Sequence, residues 1–567
     1  MSSICKALVV TTALLWGYPA GAATPAADAD TPSLGPAYQP GLTAEVIYNV
    51  LVAEMAGKRE QSETALQHYR IAALASQDPA IAGRAATLAL FLGDSQILLE
   101  MVQRWQALAP NNLQARQMLA LALLRTNRFD EAITQLDVIR SAATGDGQDG
   151  FGAIAALLDQ LGNKEIAFRA LEQLRQRHPE APFGQYQYAL AALELKRHDQ
   201  ALNALQTALE RNPQWAPGYL LRARVLMDKG DNEAALQSLA NAVTALPANR
   251  ELRTGYARLL VGARRLEEAQ RQFQILAEQN PKDVDALMAL GVLATEARQY
   301  DEAVARFTQA LQLGTRTAEI NYELGRVEEL RKNYDKAREW YARVNDEERY
   351  LNAQIHIGMI LAKLGDFPAM SAHFVKLRQD NPQEVVSLLI SEAEVLREEK
   401  RYQQSFDLLS QALAQYPDNP DLLYTRTLVA ERLDRLDIVE RDLRLLIDAN
   451  PKNGQALNAL GYTLADRTDR YQEALQYLQQ AVALLPNDPA VLDSLGWVYY
   501  RLGQYDKALD YLRRAYQLSE DDEIGAHLSE VLWVSGQREE AHTVWQKALD
   551  REPDSEYLIK LKGLIKP

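Results

Sequence analysis

The stretch Ala286–Leu311, ALMALGVLATEARQYDEAVARFTQAL, decides the fold. Its spacing fits two antiparallel helices joined by a short turn. Gly291 is the small residue where the two helices cross, Ala303 is its counterpart on the second helix, and Phe307 and Ala310 complete that face. A large side chain at a crossing point would hold the helix axes apart, so geometry selects Gly or Ala there. The next unit supplies Gly325, Ala337 and Tyr341 in the same places. Nearer the C-terminus come Gly496, Ala508, Leu512 and Ala515, with RLGQY as the turn.

Taking the crossing residue as a marker, the pattern threads Ala53, Ala86, Ala120, Ala155, Ala189, Ala223 and Ala257. It continues through Gly291, Gly325, Gly358, Ala393, Thr427, Gly461, Gly496 and Ser529, at intervals of 33 to 35 residues. The first units and the one at Thr427 match the pattern poorly. Prolines keep the same beat: Pro179, Pro213, Pro247 and Pro281 are each 34 residues apart, as are Pro417 and Pro451. A proline is tolerated at such a boundary if it opens the next helix, where its missing N–H is not needed. A period of this length is the mark of a tetratricopeptide (TPR) array. The expected fold is all-α, a TPR superhelical solenoid of antiparallel helix pairs with a concave surface, spanning residues 42–567 in about fifteen repeats.

Composition agrees. Hydrophobic residues make up 47% of the 567, enough to bury a core along the whole array, and Leu and Ala dominate the apolar positions. The net charge of −15 comes without a clustered basic surface, which argues against nucleic acid. At the N-terminus, Lys6 precedes the apolar run ALVVTTALLWG, and Ala20-Gly21-Ala22 fits a small-residue cleavage site. Residues 1–22 therefore read as a signal peptide, and the polar, Pro-rich residues 23–41 as a disordered linker. Cys5, the single cysteine, falls inside that leader, so the mature chain is expected to have no disulfide or Cys-based metal site. No later stretch is apolar and long enough for a transmembrane segment.

Catalytic chemistry finds neither room nor residues, because no long segment escapes the repeat. The seven histidines show no HExxH pair, and neither a phosphate loop nor a GxSxG elbow is present. His527 and Glu530, one turn apart, read as a solvated helix pair. The Gly/Asp stretch ATGDGQDGFG from Ala143 to Gly152 lacks calcium-loop spacing and reads as a turn. No enzyme activity, cofactor or metal is expected.

Binding is expected on the first helix of each pair. Side chains six and three before the crossing residue, and one and four after it, fall on one inward stripe. Around Gly496 that stripe carries Ala490, Asp493, Trp497 and Tyr500, with Arg501 beside them; around Gly461 it carries Asn458 and Tyr462. Aromatic rings with polar groups can grip a peptide. Trp497 and Tyr500 are expected in the groove, so that Trp497→Ala weakens partner capture with little effect on folding. Tyr499 and Trp545 are expected to pack in the core. Tyr322 with Arg326, and Phe183 with Tyr186, form weaker groups on the same stripe.

Three C-terminal stretches carry a closer likeness: NALGYTLADRTDRYQEALQYLQQAV from Asn458, DSLGWVYYRLGQYDKALDYLRRAY from Asp493, and SEVLWVSGQREEA from Ser529. Together with LTAEVIYNVLVAEMAGKREQSETALQHY from Leu42, they resemble a group of proteobacterial periplasmic TPR proteins. Its best understood members are outer-membrane lipoprotein adaptors of a carboxyl-terminal processing serine protease, to which they present cell-wall (peptidoglycan) hydrolases. The resemblance implies an exported adaptor in the periplasm, associated with the outer membrane and with proteins as partners. A scaffold for envelope polysaccharide export or pilus assembly shares every feature of the periodicity and stays open. One departure bears on anchoring: where those lipoproteins carry a lipid-modified Cys, this chain reads Ala20-Gly21-Ala22-Ala23. A mature N-terminus near Ala23 without an acyl group is the expectation.

Overall fold

The computed structural model describes residues 43–143 and 150–565. The signal peptide and linker read over residues 1–22 and 23–41 lie outside the described residues, as does residue 42 at the head of the array and most of the Gly/Asp stretch. The described residues form 31 helices and no strand. Thirty of them fall into fifteen consecutive pairs, from Ala44–Lys58 with Ser62–Ala75 to Asp522–Val534 with Arg538–Arg551, and Glu556–Leu561 follows. The chain divides into two compact units, one ending at Leu293 and the other beginning at Ala294. Each is a run of TPR helix pairs with an apolar interior of Ala and Leu and occasional rings, such as Phe151 and Phe168 in the first unit and Tyr341 and Phe374 in the second. Among the described residues, no helix is long and apolar enough to cross a membrane.

Fourteen of the fifteen crossing residues are buried, including Thr427 and Ser529, whose hydroxyls donate to the carbonyls of Leu423 and Gly525 one turn back. The unit at Thr427 is therefore a regular pair despite its weak sequence match. Ala155 is the exception. Its helix, Phe151–Asp159, starts late, after Gly150 at φ 77°, and turns Ile154 inward instead, leaving Ala155 half-buried.

The glycines among these residues are held by steric contact. A Cβ on Gly461 would lie 2.5 Å from Leu478 Cγ, and one on Gly496 would lie 2.6 Å from Leu512 Cγ and 3.1 Å from the Ala508 carbonyl oxygen. At Gly325 the added atom would meet the Tyr341 ring at 2.7 Å. These second-helix residues are themselves fully buried, so little room exists for retreat.

In fourteen of the fifteen pairs the turn is closed by a residue in the left-handed region. Glycine serves at positions 93, 162, 230, 365, 503 and 536, while Glu60, Asn127, Lys196, Arg264, Arg298, Lys332, Lys400 and Asp434 adopt the same conformation without being glycine. The turn before Tyr471 differs, with Thr468 extended at φ −141°.

The periodic prolines do not open helices. Pro213 follows Asn212 in a turn closed by the Trp215 N–H donating to the Asn212 carbonyl at 3.2 Å, and the Asn453 N–H reaches back across Pro451 to Asn450 at 2.9 Å. The fixed φ of proline suits the second position of such a turn. The turn delivers an Asn or Asp to the cap: Asn249, Asn419, Asn453 and Asp488 each accept from a first-turn N–H of the helix that follows. Proline at a helix start does occur, at Pro79, Pro182, Pro420 and Pro489, but these are a separate set.

Gly496→Ala is expected to lower stability by about 1–3 kcal/mol through overpacking against Leu512. Gly57→Ala, inside a helix where an added Cβ meets nothing within 4 Å, should instead raise it by up to about 1 kcal/mol. Chemical denaturation of the two variants checks both signs.

Candidate functional site

The expected patch lies on the first helices of two successive pairs in the second unit, Gly454–Arg467 and Pro489–Arg501, and the structure adds that of the next pair, Asp522–Val534. Their starts are set by the side chains of Asn453, Asp488 and Asp521, which accept from the N–H groups of Ala456, of Ala490 and Val491, and of Glu523. With starts in register, equivalent positions of neighbouring helices come side by side.

At the centre lies His527, 6% exposed. Its Nδ1 is 2.8 Å from Asp493 Oδ2, and its ring stacks on Trp497 with centroids 4.1 Å apart and planes inclined by 22°. Trp497 Nε1 donates to Asp466 Oδ1 at 3.3 Å, and the Tyr500 ring lies 5.1 Å away. The Tyr462 hydroxyl donates to Glu523 Oε1 at 2.7 Å, and that of Tyr500 to Glu530 Oε1 at 2.9 Å. Arg501 stands to one side, donating to the Tyr471 hydroxyl and to the Asp466 backbone carbonyl. Asn458 is half-buried, and its Oδ1, like Asp493 Oδ1, is buried without a hydrogen-bond donor.

The structure thus brings Tyr462, Asp493, Trp497 and Tyr500 into one cluster, but two expectations are corrected. Trp497 is not a free groove side chain: it is 7% exposed, as buried as Tyr499, because His527 of the next pair covers its face. His527 is no solvated partner of Glu530; its hydrogen bond goes to Asp493, with which it is buried. Tyr499 stacks on Tyr511, and Trp545 donates to the Leu558 carbonyl, so both lie in the packing.

The weaker groups pack against their own neighbours. Tyr322 meets the rings of Tyr341 and His356 edge-on. There Glu329 is fully engaged, accepting from the Tyr341 hydroxyl at 3.1 Å and from Lys363 Nζ at 2.9 Å, with His356 Nδ1 also at 2.9 Å. Arg326 lies 3.1 Å from Glu323 of its own helix. In the first unit, Phe183 and Tyr186 close on Trp215, at 5.0 and 5.1 Å. That unit also holds an open cleft of about 810 Å³, lined by Glu54, Tyr69, Arg84, Phe91 and Trp105 among others. Nothing in the periodicity had marked it.

The residues missed in the main patch are Asp466, Glu523, His527 and Glu530. Glu523 and Glu530 occupy the inward positions six before and one after Ser529, so the same stripe rule, carried one repeat further, finds both. His527 breaks the rule, which is why it escaped. Among the described residues no three His, Cys, Asp or Glu side chains gather closely enough to hold a metal.

Comparison with known proteins follows the same lines. Tetratricopeptide repeat models match residues 153–216, 293–348 and 454–521, and a model described as the cytochrome c-type biogenesis protein H TPR domain matches residues 193–318. TPR repeat-containing protein PA4667 of Pseudomonas aeruginosa is 33% identical over 484 residues, covering 85% of this chain and 82% of that protein. The chain belongs to this TPR repeat-containing family. Among solved structures, the APC/C Cut9–Hcn1 assembly (14% identity, 92% of this chain and 97% of the other, TM-score 0.32) and yeast Tom70 (15%, 89% and 91%, TM-score 0.33) are similar.

In this TPR protein the electrostatics of the patch are dominated by acid. Burial opposes a charge on His527, but Asp493, with Glu523 and Asp466 behind it, outweighs burial and raises the imidazole above its ordinary 6.5. Burial and the charge of Asp493 push the Glu523 carboxyl upward despite the hydroxyl it accepts. The hydroxyls of Tyr462 and Tyr500 are driven up by burial and then by the carboxylates they bond, and Tyr557, near Glu523, is pushed up to about 12.

Two outcomes follow from this geometry. Trp497→Ala should lower stability by about 3 kcal/mol, comparably to Tyr499→Ala, because a buried ring is lost in each case; thermal melts of the two variants compare them. Because His527 has a folded pKa above its unfolded value, its contribution to stability is complete below the unfolded value and is lost as pH rises through the folded one. The denaturation midpoint should therefore fall as pH rises from the ordinary histidine range through the raised folded value, and His527→Gln should flatten that slope.

Proposed function

We propose that this chain is a non-enzymatic protein-binding scaffold of the cell envelope, holding a carboxyl-terminal processing protease together with its peptidoglycan-hydrolase substrates. The observation that carries the reading is the patch itself. A run of TPR pairs has no packing need for Tyr462, Asp466, Tyr500, Glu523 and Glu530 to converge on adjacent first helices around the packed Asp493, Trp497 and His527. Small apolar residues would fill those positions with less desolvation of charge. Rigid rings bordered by hydrogen-bonding groups are what protein-binding surfaces use.

The protease is suggested by where the patch falls. Two of the C-terminal stretches that resemble the periplasmic adaptors, those beginning at Asn458 and Asp493, carry its three aromatic rings, and the third, beginning at Ser529, contains Glu530. The leader pattern over residues 1–22 supports placement outside the cytoplasm. A scaffold acts by raising the effective concentration of one bound protein for another, without new chemistry.

Reconstitution tests this. A purified carboxyl-terminal processing protease is mixed with a peptidoglycan hydrolase substrate, with and without the full chain, and substrate loss is followed by gel. Acceleration by about tenfold or more at stoichiometric chain is expected, with no cleavage by the chain alone. An unchanged rate defeats the adaptor reading.

A further inference from the structure

The four carboxylates of the patch contrast with several other buried or half-buried carboxylates of the second unit, which are paired with cations. Glu440 pairs with Arg444 and Arg470, Asp442 with Arg426, Glu392 with Arg378, and Glu329 with Lys363. Asp466, Glu523 and Glu530 have no Lys or Arg within ion-pair distance among the described residues, and Asp493 has only His527. Arg501, beside the patch, donates to a tyrosine hydroxyl and a backbone carbonyl and pairs with none of these carboxylates. A partly buried group of carboxylates opposed by a single imidazole is electrostatically incomplete.

A second observation points the same way. Asp493 is 5% exposed and one of its oxygens, Oδ1, is buried with no donor. A buried carboxylate oxygen without a donor is expensive to maintain, and the neighbouring repeat leaves Asn458 Oδ1 in the same condition. Both unmet needs are for donors; no buried N–H of the cluster lacks an acceptor. Glu523, His527 and Glu530 succeed one another at i, i+4 and i+7, on one stripe of a single helix. The rings of Tyr462 and Tyr500 stand beside that stripe, and the electron-rich face of an aromatic ring attracts a cation.

From these features we infer that the patch is a receptor for a cationic side chain, the guanidinium or ammonium head of an Arg or Lys presented by a partner protein. This rests on the scaffold reading above and specifies what the scaffold grips. The half-buried carboxylates of Glu523 and Glu530 receive the charge, and the head supplies N–H donors toward the unmet oxygens of Asp493 and Asn458. Arg carries five donors in a planar fork and can stack on a ring; Lys carries three on a compact head. A metal ion would need ligands that converge, and these carboxylates do not gather in that way.

The test uses the full chain and three small probes: N-acetyl-arginine amide, N-acetyl-lysine amide and, as an uncharged isostere, N-acetyl-citrulline amide. Saturation-transfer difference NMR reads their dissociation constants. The arginine or lysine probe should bind about tenfold or more tightly than citrulline. The preference should shrink as salt is raised from about 50 to 500 mM. Replacing Glu523→Gln and Glu530→Gln together should abolish it, while leaving acceptors for the two tyrosine hydroxyls. Circular dichroism melts check the fold, and Glu530→Gln alone, at a half-buried position, stands in if the pair fails to fold. Equal binding of all three probes, or a preference untouched by the variants, overturns the inference. The protease reconstitution, repeated with the variant chain, separates the two readings: full acceleration with the cation preference abolished leaves the scaffold standing and shows that this patch does not hold the protease or its substrate.

Discussion

Everything in this protein depends on how closely two helices can approach at one point in each pair. Where Gly461 faces Leu478, or Gly496 faces Leu512, a single added carbon would fall well inside contact distance. That closeness lets the second helix nest against the first, and it sets the face that each pair offers to the next. Because each pair is stabilised by itself and its neighbours, the same constraint is met afresh every 33 to 35 residues. Side chains that point away from the crossing are then free to vary, and the rings and carboxylates of the patch collect on that face.

The helix pairs were legible because this constraint leaves a trace in residue size. A small residue recurring near a period of 34 survives in one sequence without any comparison, and even Thr427 and Ser529 keep it by folding their hydroxyls back on their own helices. Ala155 misled because its helix begins late, and register within a short helix depends on where the chain enters it. The prolines misled in another way. Their period was right, but a proline two or three residues ahead of a helix and one at its first position look alike in sequence; only the hydrogen bond across the turn tells them apart.

The patch was half legible for a related reason. Positional rules find side chains that share a face, so Tyr462, Asp493, Trp497 and Tyr500 were within reach. They do not say what lies on top of them. His527 comes from the following pair, 34 residues beyond Asp493, and its burial is a matter of stacking between repeats. That one imidazole covers the face of Trp497 and turns it from an expected surface ring into a packed one. The cleft in the first unit was invisible for the same reason, since a concavity is a property of several helices at once.

The turns carry a different kind of consequence. Eight of them place Glu, Asn, Asp, Lys or Arg in a left-handed backbone conformation that glycine would adopt without strain. Each such residue holds back on the order of 1 kcal/mol, and each does so in a turn between two helices and is neither a crossing residue nor a residue of the patch. In an array whose stability accumulates from pair to pair, these sites form a set of nearly independent adjustments. Exchanging one for glycine, or the reverse, alters robustness in small steps while the binding face is untouched. Durability and recognition can therefore drift separately over evolutionary time, and one lineage can harden while another retargets.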